Sequence, residues 1–320
     1  MVPGPALLDR FRADLDPLIT SDARIGVAVS GGPDSMALLL LAAAAKPGQV
    51  EAATVDHALR DESRTEAEMV AGVCEKLGVP HSILTADWGE KPMTAIQERA
   101  RGERYRLLGF WAEERGLAAL ATGHHADDQA ETFLMRLARG SGVRGLAGML
   151  RRSVAPGTDV RLVRPLLGWR RSELEQICAD AGLTPASDPS NQDDRFERVR
   201  FRHALAGADW LDVAAISRSA ANLAEAERAL DWAMRAEWKQ GVRERGDTIA
   251  YRPSGAPREI LRRIAARAVR KLATEGEIDL RGGELDRLLT TLGKGGTATL
   301  RGVLCSGGSE WRFCAAPKRR

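Results

Sequence analysis

The residues best suited to chemistry form one short stretch, Ser30-Gly31-Gly32-Pro33-Asp34-Ser35. An apolar segment typical of a buried strand, residues 24–30, leads into it, and an apolar helical segment follows it. A strand that passes through glycines into a helix brings free backbone N–H groups and the positive end of the helix dipole to one point. Such a turn binds anionic oxygens, so the stretch predicts a phosphate site.

Asp34 indicates which kind of phosphate chemistry this is. The stretch has no lysine and matches neither the GxxxxGK[ST] nucleotide loop nor the GxGxxG dinucleotide fingerprint. A carboxylate repels a neighbouring phosphate unless a Mg²⁺ ion lies between them. We therefore predict that Asp34 binds a metal ion. The alternative is a glycine-rich turn in which Asp34 and Ser35 only cap the helix.

A second group of reactive side chains lies in the segment HHADDQAE, residues 124–131. Helical spacing places His124, Asp128 and Glu131 on one face that points to the end of the preceding strand, whereas Asp127 falls off that face. The alternative interpretation is an acidic first turn that only stabilises the helix dipole.

The order of elements predicts how these residues are positioned. Apolar strands alternate with helices as far as about residue 208, which is typical of a doubly wound α/β fold with a mainly parallel sheet. The predicted strands are residues 24–30, 49–57, 81–87, 117–123 and 161–167. The carboxyl ends of parallel strands meet at one edge, so we expect the two groups of residues to lie close together.

The pattern of apolar residues changes near residue 209. Residues 209–240 predict a helical connector with Ile216, Ala220, Leu223, Leu230 and Met234 near one stripe that Glu227 interrupts. Residues 241–320 predict a small α+β domain with helices at 257–273 and at GGELDRLLTTLG and a hairpin that turns at Gly307-Gly308. The predicted domains are therefore 1–208, 209–240 and 241–320.

Composition excludes several classes of protein. The four cysteines are scattered without a CxxC pair, which argues against a disulfide framework, a zinc ribbon or an iron–sulfur site. The longest apolar run, residues 36–45, is too short to span a membrane. We expect a soluble cytoplasmic protein. Of 47 basic residues only seven are lysine, and guanidinium groups suit phosphate, although the codon usage of a GC-rich genome also produces this bias.

Five further stretches give a resemblance to a known family. SGGPDS resembles the pyrophosphate loop (PP-loop) of the N-type ATP pyrophosphatases, which transfer AMP to a substrate oxygen. The chain from 24 to 205 resembles the tRNA(Ile)-lysidine synthetases through VDHALRDESRTEAE, AIQERARGERYRLL, LATGHHADDQAETFLMRLARGSGVRGLAGM, RPLLGWRRSELEQI and SDPSNQDDRFERVRFRH. The resemblance implies that ATP adenylates C2 of the wobble cytidine of the tRNA(Ile) with a CAU anticodon. Free L-lysine then displaces AMP to form lysidine.

The resemblance implies roles for individual residues. The PP-loop would hold pyrophosphate through Ser30, Gly31, Gly32, Pro33, Asp34 and Ser35, with Mg²⁺ on Asp34. Asp56 is a predicted catalytic residue; its neighbour His57 is either functional or a local cap. Arg101 is expected at the nucleotide and Arg104 at the lysine carboxylate, or both lie on a solvated face with Glu98 and Glu103. Asp128 and Glu131 would attract the lysine cation, and a carboxylate or His124 would remove its proton.

The basic segment after residue 194 predicts RNA contact. Arg195, Arg198, Arg200 and Arg202 alternate with other residues, including Phe196 and Phe201, as in a groove for an RNA backbone. Val199 stands where the family commonly has an asparagine. A second basic group, Arg262, Arg263, Arg267, Arg270 and Lys271, is either an RNA contact or solvated surface.

Three other functions remain open at this point. A PP-loop tRNA thiolase would use the same adenylation, but the cysteines here adjoin no suitable motif. A metal-dependent phosphohydrolase would use HHADD as metal ligands and leave SGGPDS unexplained. A noncatalytic module that binds nucleotide or RNA is the third. The sequence also leaves open whether the chain forms a homodimer.

Overall fold

The computed structural model describes residues 2–58, 62–89, 96–186, 197–273, 280 and 282–317. Its helices, numbered along the chain, are α1 Pro5–Leu15, α2 Pro33–Ala45, α3 Glu62–Leu77, α4 Ile96–Glu114, α5 Ala126–Ala138, α6 Val143–Leu146, α7 Arg171–Asp180, α8 Glu197–Ala206, α9 Val213–Gly241, α10 Arg258–Leu272 and α11 Gly282–Gly293. No helix in these ranges is both long enough and apolar enough to cross a membrane.

Six strands build the sheet of the N-terminal part. They are β1 Ile25–Ala28, β2 Val50–Asp56, β3 His81–Thr85, β4 Ala119–Ala121, β5 Arg152–Val154 and β6 Arg161–Val163. Their order is β3-β2-β1-β4-β6-β5, and only the edge strand β5 pairs antiparallel. The chain reverses its direction of winding at β1, between β2 and β4. Ligands of open α/β sheets bind at such a reversal, at the carboxyl ends of the strands. The mainly parallel, doubly wound sheet predicted from the sequence is confirmed.

Helix α2 is buried over most of its surface, which explains its apolar sequence. Every residue from Ser35 to Ala42 is buried, and the helix packs between the sheet, α1 and α7. A helix that is apolar on all sides is stable only when neighbours cover all sides. The loop that precedes α2 is therefore attached to one of the most firmly packed elements of the N-terminal part.

The C-terminal part is a separate compact unit. Contacts divide the chain into Met1–Ala224 and Glu225–Arg320, and this boundary lies inside α9. Strands β7 Val242–Arg245, β8 Thr248–Tyr251, β9 Thr297–Leu300, β10 Val303–Ser306 and β11 Trp311–Ala315 form an antiparallel sheet. β10 and β11 form the predicted hairpin around Gly307-Gly308, whereas β7, β8 and β9 were not predicted. Helices α10 and α11 and the second half of α9 share a core with this sheet.

The glutamate that interrupts the apolar stripe of α9 has a partner. Glu227 accepts two hydrogen bonds, at 2.7 and 2.6 Å, from the guanidinium of Arg263 on α10. Both side chains are less than one-fifth exposed. Arg263 also contacts Glu259 at 2.8 Å, so the charge on α9 is matched inside this unit.

We predict that Gly26→Ala destabilises the protein. A Cβ atom at Gly26 in β1 would lie 2.6 Å from Cζ3 of the buried Trp111 and 3.0 Å from Cδ1 of Leu117. Such overpacking costs about 1–3 kcal/mol of unfolding free energy. Gly72→Ala in α3 is the matched control, because its Cβ meets nothing within 4 Å and alanine favours a helix by about 1 kcal/mol. Urea unfolding should separate the two variants, and equal stability would contradict this account of β1.

Candidate active site

Eight of the predicted site residues line one cavity at the carboxyl ends of β1, β2 and β4. Its volume is about 500 Å³. The predicted residues that line it are Ser30, Gly32, Asp34, Ser35, Arg101, Arg104, His124 and Asp128. Further lining residues with polar side chains are Thr54, His57, Ser63, Glu66, Tyr105 and Thr122. The fold therefore brings together predicted residues from three separate segments of the chain.

The PP-loop is shaped by glycine and held by two hydroxyls. Gly31 adopts φ +86°, a left-handed conformation that favours glycine. Ser35 Oγ accepts a hydrogen bond from the Ser30 amide at 3.1 Å and donates one to the Gly32 carbonyl at 3.0 Å. Gly32 precedes α2, and no side chain caps the helix start. The first amides of α2 are therefore available to an anion from the cavity.

Asp34 offers one carboxylate oxygen to a cation. Its Oδ1 is buried and has no hydrogen-bond partner in the described structure, whereas Oδ2 lies 3.5 Å from His125 Nε2. An unpartnered buried carboxylate oxygen is costly unless a ligand or ion satisfies it. Across the described ranges, no group of three or more His, Cys, Asp or Glu forms a metal cage. Mg²⁺ suits such a site, since it commonly takes one carboxylate together with phosphate and water oxygens.

His125, which the sequence indicated only as a metal ligand of the alternative phosphohydrolase, joins three carboxylates. Its ring nitrogens lie 3.4–3.5 Å from oxygens of Asp34, Asp127 and Asp128, and the residue is buried. Burial alone would lower the pKa of His125, but Asp127, Asp34 and Asp128 together raise it to about 10. The imidazolium therefore stays charged at pH 7 and joins the first turn of α2 to the first turn of α5.

The neighbouring His124 is neutral. Burial is the main cause that lowers its pKa, to about 3, and the cations Arg164, Arg198 and Arg104 act in the same direction, while Asp128 opposes them. Its Nδ1 lies 2.9 Å from the hydroxyl of Thr122. The two adjacent histidines thus have opposite charge states, and the neutral one lines the cavity.

Arg101 and Arg104 supply positive charge on the opposite wall. Their guanidinium carbons lie 5.1 and 5.4 Å from the ring centroid of the buried Tyr105, which lies between them on α4. Within the described ranges neither arginine has an acidic partner, and burial lowers the pKa of Arg104. Two cations without acidic partners favour an anion in the cavity.

Asp128 and Glu131 are already engaged by arginines of α8. Arg198 contacts Asp128 Oδ1 at 2.9 Å and Glu131 Oε2 at 2.6 Å, and Arg202 contacts Glu131 Oε1 at 2.7 Å. Glu131 is almost fully buried and does not line the cavity, whereas Asp128 does. Burial raises the pKa of Asp128, but His125 and Arg198 outweigh it and hold the pKa below its usual range. A ligand cation would approach Asp128, with Glu131 behind it.

The described part of the basic segment forms helix α8. Arg198 and Arg202 are four residues apart in α8 and therefore point the same way, toward α5, while Arg200 is exposed. Val199 is buried, so the position that commonly holds asparagine in the family is part of the packing here. Arg195 lies outside the described residues. The RNA contacts predicted for these arginines remain predictions.

Asp56 forms hydrogen bonds within the protein beside the cavity. Its Oδ1 accepts hydrogen bonds from the Ala58 amide at 2.9 Å and the Ser63 hydroxyl at 2.8 Å. Ala58 has φ +51°, so this carboxylate stabilises a strained turn after β2. His57 lines the cavity instead, while its carbonyl accepts a hydrogen bond from the Trp88 indole at 2.7 Å. A catalytic role for Asp56 remains a prediction.

Comparison with known proteins agrees with this geometry. The PP-loop domain family matches residues 7–208. The chain is 49% identical to a tRNA(Ile)-lysidine synthase of Novosphingobium aromaticivorans over 97% of this chain and 94% of that protein. It is 44% identical to the tRNA(Ile)-lysidine synthase of Zymomonas mobilis over 93% and 90% of the two chains. The U34-tRNA thiolase NcsA of Methanococcus maripaludis shares the fold, with a TM-score of 0.58 at 17% identity over 69% of this chain and 78% of that chain.

We predict that Gly123→Ala disables the phosphate site. A Cβ atom at Gly123, two residues after β4, would lie 2.8 Å from the carbonyl oxygen of Asp34 and 3.0 Å from the Ser35 amide nitrogen. The first turn of α2 would have to move away from the cavity, and ATP affinity measured by calorimetry should fall at least about tenfold, or 1.4 kcal/mol. Gly142→Ala is the control, because its Cβ meets nothing within 4 Å. Unchanged ATP binding by the folded Gly123 variant would contradict the geometry.

Proposed function

The chain belongs to the PP-loop family of tRNA(Ile)-lysidine synthases, and from this premise we propose how its cavity carries out the reaction. The family's activity is an ATP-dependent ligation that forms lysidine in tRNA(Ile). The observation that carries the proposal is the Asp34 Oδ1 atom, which is buried beside the uncapped start of α2 and has no partner among the described residues. One carboxylate oxygen and a row of amides fit a diphosphate that leaves with Mg²⁺.

The first step attaches AMP to the C2 oxygen of the wobble cytidine, so that AMP can leave in the second step. The amides at the start of α2 bind the β- and γ-phosphates of ATP, and Asp34 Oδ1 would hold Mg²⁺, which supplies positive charge against the phosphates. Arg101 on the opposite wall binds phosphate oxygens. C2 oxygen of the wobble cytidine in the CAU anticodon attacks the α-phosphorus, and pyrophosphate leaves. The wobble base lies in a loop, so its placement in the cavity costs less than extraction from a duplex.

The second step requires an uncharged lysine amine. The ε-amine has a pKa of about 10.4 in solution, so free L-lysine arrives as a cation. Asp128 is the carboxylate of α5 that lines the cavity, and neutral His124 near it can accept a hydrogen bond from the ammonium. Arg104 binds the carboxylate of the lysine. Glu131 acts from behind, because it binds Arg198, which contacts Asp128, and also binds Arg202. Asp128 or His124 takes the proton from the ammonium, the free amine attacks C2, and AMP leaves.

The structure disfavours the two other enzymatic functions. Cys74 and Cys178 are buried in the core of the N-terminal part, where burial raises the pKa of both thiols, and Cys305 and Cys314 belong to the C-terminal unit. No described cysteine lines the cavity, as a thiolase would need. A phosphohydrolase would need HHADD as metal ligands. However, His125 contacts three carboxylates, and Asp127 forms an ion pair with Arg170 at the start of α7. These groups are therefore engaged with protein partners.

The deciding assay combines the full chain with Mg²⁺, ATP labelled at the α-phosphate, unmodified tRNA(Ile) and radiolabelled lysine. We expect AMP, pyrophosphate and lysine incorporation into the tRNA. Release of ADP and orthophosphate, or sulfur incorporation instead of lysine, would refute the proposal. The tRNA(Met) with the same anticodon is the matched control for the RNA and should accept no lysine.

We predict that Asp34→Asn abolishes pyrophosphate release. An amide keeps the shape of the side chain but loses the negative charge that binds the cation, and loss of such electrostatic stabilisation costs about 10²–10³-fold in kcat. Pyrophosphate release from ATP in the presence of tRNA is the measurement. Asp180→Asn, at the exposed end of α7, should behave like wild type. Near-normal pyrophosphate release by Asp34→Asn would exclude the role of Asp34.

We predict that Glu131→Gln mainly impairs the use of lysine. The amide can no longer balance the charges of Arg198 and Arg202. Their uncompensated positive charge near Asp128 then repels the lysine ammonium. KM for lysine should rise about tenfold, whereas tRNA-dependent exchange of pyrophosphate into ATP persists. Glu175→Gln, which removes an exposed pair with Arg171, is the control. Equal loss of both half-reactions would show that Glu131 only stabilises the fold and has no specific role in the use of lysine.

A further inference from the structure

An exposed tryptophan on α9 has no role in the reaction described above. Trp232 is 74% exposed, whereas Trp111, Trp169, Trp238 and Trp311 are each less than 10% exposed. Exposure of so large an aromatic side chain leaves apolar surface in water, and such surface often marks a binding site. The opposite face of α9 is the buried one, since Met234 and Trp238 belong to the C-terminal core.

Three cations share the exposed face with Trp232. Arg228, Trp232, Arg235 and Lys239 are spaced by four, three and four residues, which aligns them on one side of a helix. All four are exposed, and the stripe extends roughly 16 Å along the axis. We call these four residues the α9 stripe. An aromatic face between cations is the arrangement by which proteins bind single-stranded nucleic acid.

The acidic residues near the stripe do not cancel it. Glu225 lies 3.4 Å from Arg228 and Asp231 lies 2.7 Å from Arg235, and all four side chains of these two pairs are at least 39% exposed. Exposed pairs of this kind contribute only about 0.3–0.5 kcal/mol, so a phosphate can replace them. Lys239 has no ion-pair partner among the described residues. The basic residues of α10 differ, because Arg262 and Arg263 are held by Glu259 and Glu227.

The charge of the unit that carries the stripe favours RNA as its partner. Residues 225–320 contain 20 Lys and Arg against 13 Asp and Glu, whereas the whole chain has 47 against 44. The C-terminal unit is thus net positive by seven charges and the rest of the chain net negative by four. A basic unit attracts a polyanion and repels a second copy of itself.

We propose that the α9 stripe binds an unpaired stretch of the substrate tRNA, with one base stacked on the Trp232 indole and the flanking phosphates on Arg228, Arg235 and Lys239. The stacked base is not the cytidine that reacts, because that base occupies the cavity of the N-terminal part. The inference rests on the proposed function, since it takes the RNA to be the tRNA that is modified.

The test measures the affinity of the full-length enzyme for unmodified tRNA(Ile) by filter binding at fixed salt. Trp232→Ala should weaken binding about tenfold, because one base stacked on an aromatic side chain contributes about 1–3 kcal/mol. Trp232→Phe, which still presents a ring, should recover most of the affinity. Trp210→Ala is the matched control: Trp210 is 79% exposed, but Asp209 and Asp212 are its neighbours in sequence. Equal binding by wild type and the folded Trp232→Ala variant, or an equal loss in Trp210→Ala, would overturn the proposal.

Two further measurements separate the outcomes. Each phosphate contact contributes roughly 0.7 to the slope of log affinity against log salt concentration. Replacing Arg228, Arg235 and Lys239 by glutamine should therefore lower this slope by about 2. In Trp232→Ala, KM for tRNA should rise while kcat at saturating tRNA stays that of wild type. A wild-type enzyme that binds tRNA but forms no lysidine would refute the proposed function and leave the binding test intact. Altered sedimentation of Trp232→Ala without RNA, with unchanged tRNA affinity, would assign the stripe to a second copy of the chain and overturn the proposal.

Discussion

The contact between one buried imidazolium and three carboxylates organises the cavity. His125 lies within 3.5 Å of Asp34, Asp127 and Asp128, and it is held almost entirely away from water. Without that positive charge, three carboxylates at the starts of α2 and α5 would repel one another in a region of low dielectric constant. The imidazolium contacts Asp34 through Oδ2, which leaves Oδ1 without a partner among the described residues, and Asp127 continues the connection to Arg170 and the start of α7. Phosphate loop, acidic helix and outer helix are therefore held by a single network of charges.

Local patterns allowed much of the site to be predicted. The glycine turn, the apolar α2 and the helical spacing of His124, Asp128 and Glu131 are properties of short segments, so the sequence could indicate them directly. Partners distant in sequence were not predictable in this way. The pairing of Glu131 with Arg198 spans 67 positions, so the alternating arginines of residues 198–202 indicated an RNA groove and gave no sign that two of them bind acids of α5. The charge of His125 was missed because it depends on three groups that only the fold assembles.

The arginine-rich composition divides into two uses that the sequence alone does not separate. Most arginines with a described partner lie in ion pairs that hold elements together, such as Arg115 with Glu51 and Arg263 with Glu227. Arg101 and Arg104 line the cavity without an acidic partner among the described residues. They give the cavity positive charge, although the chain as a whole has a net charge of only +3. The charge of the cavity therefore depends on which arginines lack acids, and not on the number of arginines.

The double engagement of Glu131 by α8 has a consequence for how this protein can diverge. A shorter acid at this position would reach neither guanidinium from its place in α5, whereas a shorter base at position 198 or 202 would leave Glu131 with the other arginine. The trio therefore tolerates the exchange of one base more readily than the exchange of the acid.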